Sequence, residues 1–302
     1  MKISILFFSL ICLFGCIQES GVEGTGKSNS GAPQSFDLVS YPPEKLYPIT
    51  EFTHGYDFAV DSSKNLYYVT AHSSIKKYDS DRLLLNVFTI TNDDGGGSTK
   101  KICVNDSQEM FVLHWPNGLV QKYSSVGEVI WEYPLDPAKE NGFRNDLSCD
   151  FDEVFLSNSD ETVSVLSSEG VLVRSFIAQG NRFVKETQEG DVYWVSGLEL
   201  FISDRMGEIK ERRIIPLTLE DYSPIHDLAI DGAGLIYAVK SAPADSNGAR
   251  ALILNVIDEN DQILIHLDID NNLGGMGGKV QVHGDDIYLG IQNNIGVIPA
   301  FF

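Results

Sequence analysis

The stretch Asp57-Phe-Ala-Val-Asp-Ser-Ser-Lys-Asn-Leu-Tyr-Tyr-Val-Thr70, followed by Ser74-Ile-Lys-Lys-Tyr-Asp79, decides how this chain is to be read. It contains a short strand, a polar turn, an apolar strand and a strand that alternates. The phrase returns about every 44 residues. Its six openings are Asp57-Phe-Ala-Val-Asp61, Lys101-Ile-Cys-Val-Asn105, Asp146-Leu-Ser-Cys-Asp150, Phe183-Val-Lys-Glu-Thr187, Asp227-Leu-Ala-Ile-Asp231 and Lys279-Val-Gln-Val-His283, spaced by 44, 45, 37, 44 and 52 residues. Self-similarity at such a period is the mark of a repeat architecture.

Each opening strand is followed by an apolar run rich in β-branched and aromatic residues, such as Leu66–Val69, Met110–Leu113 or Leu235–Val239. Runs of this kind suit strands buried on both faces. A third strand alternates, as in Val120-Gln-Lys-Tyr123, and a fourth follows a Gly- or Asp-containing turn, as in Val129-Ile-Trp-Glu-Tyr133. Four antiparallel strands at a period of 40 to 50 residues predict an all-β, six-bladed propeller. The last unit supplies only three strands before the chain ends at Phe302. An unpaired edge there is a liability, so Phe36–Tyr41 is expected to close the sixth blade against the C-terminal strand, with Tyr47–Phe52 as the alternative.

The N-terminus stands outside this pattern. Lys2 precedes an unbroken apolar run, Ile3–Phe14, too short for a membrane span, which needs about 20 residues. It reads as the core of a signal peptide over residues 1–15. The run ends Leu13-Phe14-Gly15-Cys16, which resembles the bacterial lipoprotein box. That resemblance implies cleavage before Cys16 and acyl chains, such as palmitate, on the cysteine. More than one chain gives a stable membrane anchor. Ile17, rather than Asp, after the cysteine favours the outer membrane. Residues 16–34 are Gly-, Ser- and Glu-rich and read as a flexible tether, leaving 35–302 for the propeller.

Twenty-two Lys and Arg stand against 43 Asp and Glu, a net charge of −21. Such a surface repels phosphate backbones, so nucleic acid is not an expected partner. Cys103 and Cys149 fall at adjacent phases of two innermost strands, which should point them to opposite faces. They are therefore expected to be two small core residues rather than a disulfide.

The cadence of Ala59-Val-Asp61, Asn65-Leu-Tyr-Tyr-Val69, Ile75-Lys-Lys-Tyr-Asp79 and Ala229-Ile-Asp231 resembles the NHL-type six-bladed propeller family over roughly residues 50–300. The resemblance implies an architecture and no particular activity. Gluconolactonase- and regucalcin-type propellers share the blade count and hold a divalent metal in the channel through a first-blade Glu, Asn residues and an Asp. Asn145 matches one such Asn. His54 and Gly55 fall where the Glu would be, and His226 falls where the Asp would be, so that site does not carry over.

The natural site of a propeller is the mouth of its central channel. One phase across the repeats gives Asp57, Lys101, Asp146, Phe183, Asp227 and Lys279, in which acid and base nearly alternate. The preceding phase contributes Asn145 and His226. Three readings stay open. The carboxylates and the ammoniums of Lys101 and Lys279 can pair into a channel charge ring. Asp57, Asn145, Asp146, His226 and Asp227 can ligate a small molecule or a divalent cation, Ca²⁺ or Zn²⁺. A His226–Asp146 pair can do acid–base chemistry. The phase Asp61, Asn105, Asp150, Thr187, Asp231 and His283 reads as turn chemistry. Glycine-rich stretches at 92–98 and 271–279 fit no phosphate-loop pattern and read as inter-blade loops at the mouth. The expected function is that of a membrane-anchored module binding a protein, peptide or glycan there. A metal-dependent, lactonase-like hydrolase is the alternative.

Overall fold

The computed structural model describes residues 34–36, 47, 57–70, 74–90, 100–114, 118–135, 146–150, 152–180, 184–186, 190–216, 225–241, 252–269, 278–291 and 294–299. These residues form strands and turns only, arranged in six sheets that are antiparallel within each blade. From the axis outward, blade one is Phe58–Val60, Leu66–Val69, Ser74–Tyr78 and Leu84–Thr89. Blade two is Lys100–Val104, Met110–His114, Leu119–Tyr123 and Val129–Pro134. Blade three is Leu147–Asp150, Glu153–Ser157, Thr162–Ser167 and Leu172–Ile177. Blade four is Val184–Glu186, Val192–Ser196, Glu199–Ser203 and Ile209–Ile214. Blade five is Ile225–Ile230, Ile236–Ser241, Leu252–Ile257 and Ile263–Ile269. Blade six has three described strands, Gly278–His283, Asp286–Ile291 and Asn294–Pro299.

The core is divided among the six gaps between blades. Ala59, Tyr67, Val69 and Phe88 of blade one meet Ile102, Met110 and Val112 of blade two in one cluster. Phe58, Leu66 and Tyr68 meet Tyr288 and Ile295 of blade six in another, which closes the ring. Burial on both sides of the second strand explains why its residues run apolar without alternation. Gln281 Nε2 donates to Phe58 O at 3.1 Å, and Lys64 Nζ lies 2.6 Å from Asp286 Oδ2, so polar contacts also cross this closure.

Two local devices recur. Asp61 Oδ1 accepts from the N–H groups of Ser63 and Asn65, both at 2.9 Å, while Tyr67 Oη donates to Oδ2. Asp231 does the same with Ala233, Leu235 and Tyr237. These aspartates serve the turns, as their composition predicts. At the rim, Gly127 and Gly207 have φ of 89° and 87°, a region that costs other residues roughly 1–2 kcal/mol. A Cβ on either would lie 2.5 Å from Phe88 or 2.4 Å from Phe176 of the preceding blade. Each glycine therefore lets an aromatic ring of one blade sit flat on the turn of the next.

Two expectations need correction. Phe36 does not pair with the C-terminal strand. The backbone of Gln34–Phe36 runs parallel to the outer strand of blade five, with Gln34 opposite Leu267 and Phe36 opposite Ile269. Among the described residues that seven-residue strand is the longest outer edge and offers the most ladder groups. Residues 37–46 and 48–52 lie outside the described residues. Tyr47, first residue of the alternative segment, donates its N–H to Ile295 O at 3.0 Å and packs edge-on to Tyr78.

The second correction concerns Cys103 and Cys149, which form a disulfide with their Cα atoms 5.8 Å apart. Their side chains do leave opposite faces of equivalent strands. Blades stack face against face, however, so opposite faces of neighbouring blades are the ones that meet.

Candidate functional site

The first turn into each innermost strand delivers one ionisable side chain toward the axis. Asp57, Asp146 and Asp227 are 1%, 3% and 5% exposed, and Lys279 is 8% exposed. Lys101 Nζ lies 3.6 Å from Asp146 Oδ1, and Lys279 Nζ pairs with Asp57 Oδ1. Blade four supplies the sixth member, Lys185, whose ammonium lies 3.8 Å from Asp146 Oδ2 and 3.9 Å from Asp227 Oδ1. The ring therefore reads Asp57, Lys101, Asp146, Lys185, Asp227, Lys279, one residue per blade with the sign alternating throughout. An even number of blades permits this arrangement. An odd number would set two like charges side by side.

Lys185 was hidden at the sequence level because the phase taken for blade four was Phe183. Phe183 lies outside the described residues. Lys185 lies in the strand Val184–Glu186, two positions later in the sequence. The signal was available: five alternating places demanded a base at the fourth.

The carboxylates also tie the blades together. Asp57 Oδ2 accepts from Ile102 N–H at 3.1 Å, and Asp227 Oδ2 accepts from Val280 N–H at 3.0 Å. These are N–H groups on the inner edge of the next blade, which no strand can pair, and a buried orphan of this kind is costly. Burial works to raise the pKa of Asp57, but the ammoniums of Lys279, Lys101 and Lys185 outweigh it and hold the carboxyl below its ordinary value. Burial wins at Asp227, whose pKa is raised despite Lys185 and Lys279. Burial opposes the charge on Lys101 and Lys185, yet the surrounding aspartates keep both pKa values raised.

Past the ring lies a cavity of about 220 Å³ lined by residues of all six blades. Lys185 is the ring member that reaches it, and the Cys103–Cys149 disulfide forms part of its wall.

His226 sits apart from the ring by a specific device. In the innermost hairpin of blade five the register passes from Ile225 opposite Lys240 to Asp227 opposite Val239, which leaves His226 as a bulged residue. Bulges re-aim side chains and are frequent beside functional sites. Here the bulge brings His226 Nε2 within 2.5 Å of the hydroxyl of buried Ser241. The structure thus pairs His226 with Ser241, and it pairs Asp146 with two lysines. Asn145 and Cys16 lie outside the described residues. Among the described residues, no three His, Cys, Asp or Glu side chains converge as a metal site. Three ammoniums interleaved with three carboxylates are also poor surroundings for a cation.

No protein-family model and no curated protein sequence matches the chain. Similarity lies in the fold. A streptogramin B lyase structure aligns with a TM-score of 0.58 at 11% identity, covering 83% of this chain and 95% of that one. Virginiamycin B lyase from Staphylococcus aureus aligns at 0.55 and 12% identity, covering 81% and 80%. The Pan2 WD40 domain of Neurospora crassa aligns at 0.56 and 13% identity, covering 89% and 98%. At such identities the likeness defines the chain as a six-bladed β-propeller and says nothing of chemistry.

Proposed function

We propose that this protein is a lipid-anchored, extracytoplasmic binding module of NHL-like cadence, presenting the mouth face of its propeller to a protein, peptide or glycan. In this reading Cys16 carries the acyl chains, residues 16–34 form the tether, and the outer membrane holds the anchor. The observation that supports it best is the ring itself. Asp57, Asp146 and Asp227 pair with lysines, and Asp57 and Asp227 also accept from backbone N–H groups, so the axis holds blades together and has little left for catalysis. A photo-crosslinking residue placed at His226 should capture a partner in envelope preparations. The same residue placed at His283, on the opposite face, should not. The reverse pattern would move the site to the other face. Cys16→Ala should release the protein from the membrane fraction.

A second reading rests on the His226–Ser241 contact beside Asp227. It is a lactonase-like hydrolase using a Ca²⁺ or Zn²⁺ ion ligated among Asp57, Asn145, Asp146, His226 and Asp227. The lysines interleaved with these carboxylates oppose a cation there, which is why binding is preferred. Lactone hydrolysis that requires added metal and is lost in His226→Ala would reverse the preference.

A further inference from the structure

The outer edges of the blades are protected to very different degrees. The outer strand of blade four carries Lys210, Glu211, Arg212 and Arg213 at its centre. That of blade two ends Glu132-Tyr133-Pro134. In blade three Arg174 is clamped to Glu153 and to the carbonyl of Arg205. Blade five is covered by the parallel strand Gln34–Phe36. Charge, proline and a covering strand are the means by which proteins keep sheet edges from recruiting other chains.

Blade one has none of these. Its outer strand is Leu84-Leu-Asn-Val-Phe-Thr89, preceded by Leu83, with no charge and no proline. Among the described residues no strand pairs with its outer edge. Leu83, Leu84, Leu85 and Val87 are 65%, 52%, 53% and 49% exposed, while Phe88 is buried and holds the strand in place against Gly127. The N–H of Val87 faces away from the blade and is capped by the side chain of Asn86 at 2.8 Å. By the alternation of an antiparallel ladder, Thr89 presents its backbone in the same direction.

We propose that this edge takes an extended segment of a partner protein, added to blade one as a fifth strand. The segment carries aliphatic side chains that cover Leu84, Leu85 and Val87, and basic residues flank it. Edge addition is a geometry this propeller already uses, since its own backbone lies along the corresponding edge of blade five. Main-chain hydrogen bonds supply affinity in such an addition, and alternate side chains supply selectivity. A net charge of −21 steers basic segments toward the molecule and sets two copies of it against each other, so a partner is favoured over self-pairing. Asn86 acts as a displaceable cap whose one hydrogen bond the incoming strand replaces. This site is separate from the mouth face.

The test uses the full chain and an acetylated peptide of ten residues alternating valine and lysine, with amide exchange as the readout. The peptide should slow exchange at Val87 and Thr89 and leave the charged edge Ile209–Ile214 unchanged. Methylating alternate peptide nitrogens should abolish the effect, and replacing peptide lysines by glutamate should weaken it. Asn86→Ala should tighten binding roughly threefold to tenfold, the equivalent of one hydrogen bond that need not be exchanged. Val87→Pro should remove binding; Leu85→Lys, which keeps the backbone donors, should weaken it while leaving the melting temperature in place. Equal protection of both edges, or protection that survives nitrogen methylation, would overturn the proposal. So would concentration-dependent protection of Val87 and Thr89 without peptide, which would make a second copy the occupant. Crosslinking at His226 reports on the mouth alone and separates the two failures.

Discussion

On the axis of this propeller six ionisable side chains form a ring, with Asp57, Asp146, Asp227 and Lys279 buried, and at the rim of blade one four aliphatic side chains stand in solvent. Each region reverses the usual placement of polar and apolar groups. The axial charges are tolerable because each pairs with at least one opposite charge and because Asp57 and Asp227 also satisfy an inner-edge N–H of the following blade. Three acidic and three basic side chains offset one another there and join neighbouring blades. Among the described residues, no strand pairs with the rim residues' outer edge. A buried charge that is fully paired points to architecture, and an exposed apolar edge that is unprotected points to a partner.

The largest expected effect lies on the axis. Asp57→Asn removes the partner of buried Lys279 and should cost about 3–5 kcal/mol, the usual penalty for breaking a buried pair, read from denaturant unfolding. Asp227→Asn should change stability by no more than about 1 kcal/mol, because burial already disfavours that charge. The two aspartates should also respond to pH with opposite signs. The folded pKa of Asp57 lies below its unfolded value. Its stabilisation is present above the ordinary carboxylate range and is lost as pH falls through the folded value. The folded pKa of Asp227 lies above its unfolded value, so its contribution is present at low pH and is lost as pH rises through the folded value. Melting curves from pH 3 to 7 should therefore lose acid sensitivity in Asp57→Asn and gain it in Asp227→Asn. Equal behaviour of the two variants would break the distinction between them.

The next effect lies between axis and rim. The disulfide closes a loop with a sequence separation of 46, and replacing both cysteines by serine should cost about 2–4 kcal/mol. Treatment with a reductant should lower the melting temperature of the native chain but not that of the double variant. Nearer the rim, Gly207→Ala combines a left-handed backbone with a Cβ set into the Phe176 ring. It should cost about 1–3 kcal/mol, and Phe176→Leu should relieve part of that cost. The smallest effect belongs to the outer edge of blade one. Leu85→Lys should leave stability within about 0.5 kcal/mol, as befits a residue whose value lies in a partner rather than in the fold.

Much of this was legible in the residues. The repeat spacing, the apolar second strands and the turn aspartates Asp61 and Asp231 follow from local rules that any single blade obeys. Five members of the axial ring were legible too, because the opening phrase places each at the same phase. Lys185 was missed because blade four is short and its charge enters from two residues deeper. The disulfide was misjudged because the face of a strand was considered within one blade, although the contact is made between two. The pairing of His226 with Ser241 depends on a bulge, which one residue of register creates and no composition signals. The protected and unprotected edges could be read as compositions, but not the strand that covers blade five.

The sequence by itself determined how many blades there are, that Asp61 and Asp231 turn their corners and that charge nearly alternates around the axis. Those properties rest on strand periodicity and on side chains bonding their own backbone, interactions that span a few residues. Only the tertiary structure decided which faces meet, which cysteines join and where Gln34–Phe36 lies. These contacts bring together residues tens to hundreds of positions apart, and closure of the ring, rather than any local preference, selects among them.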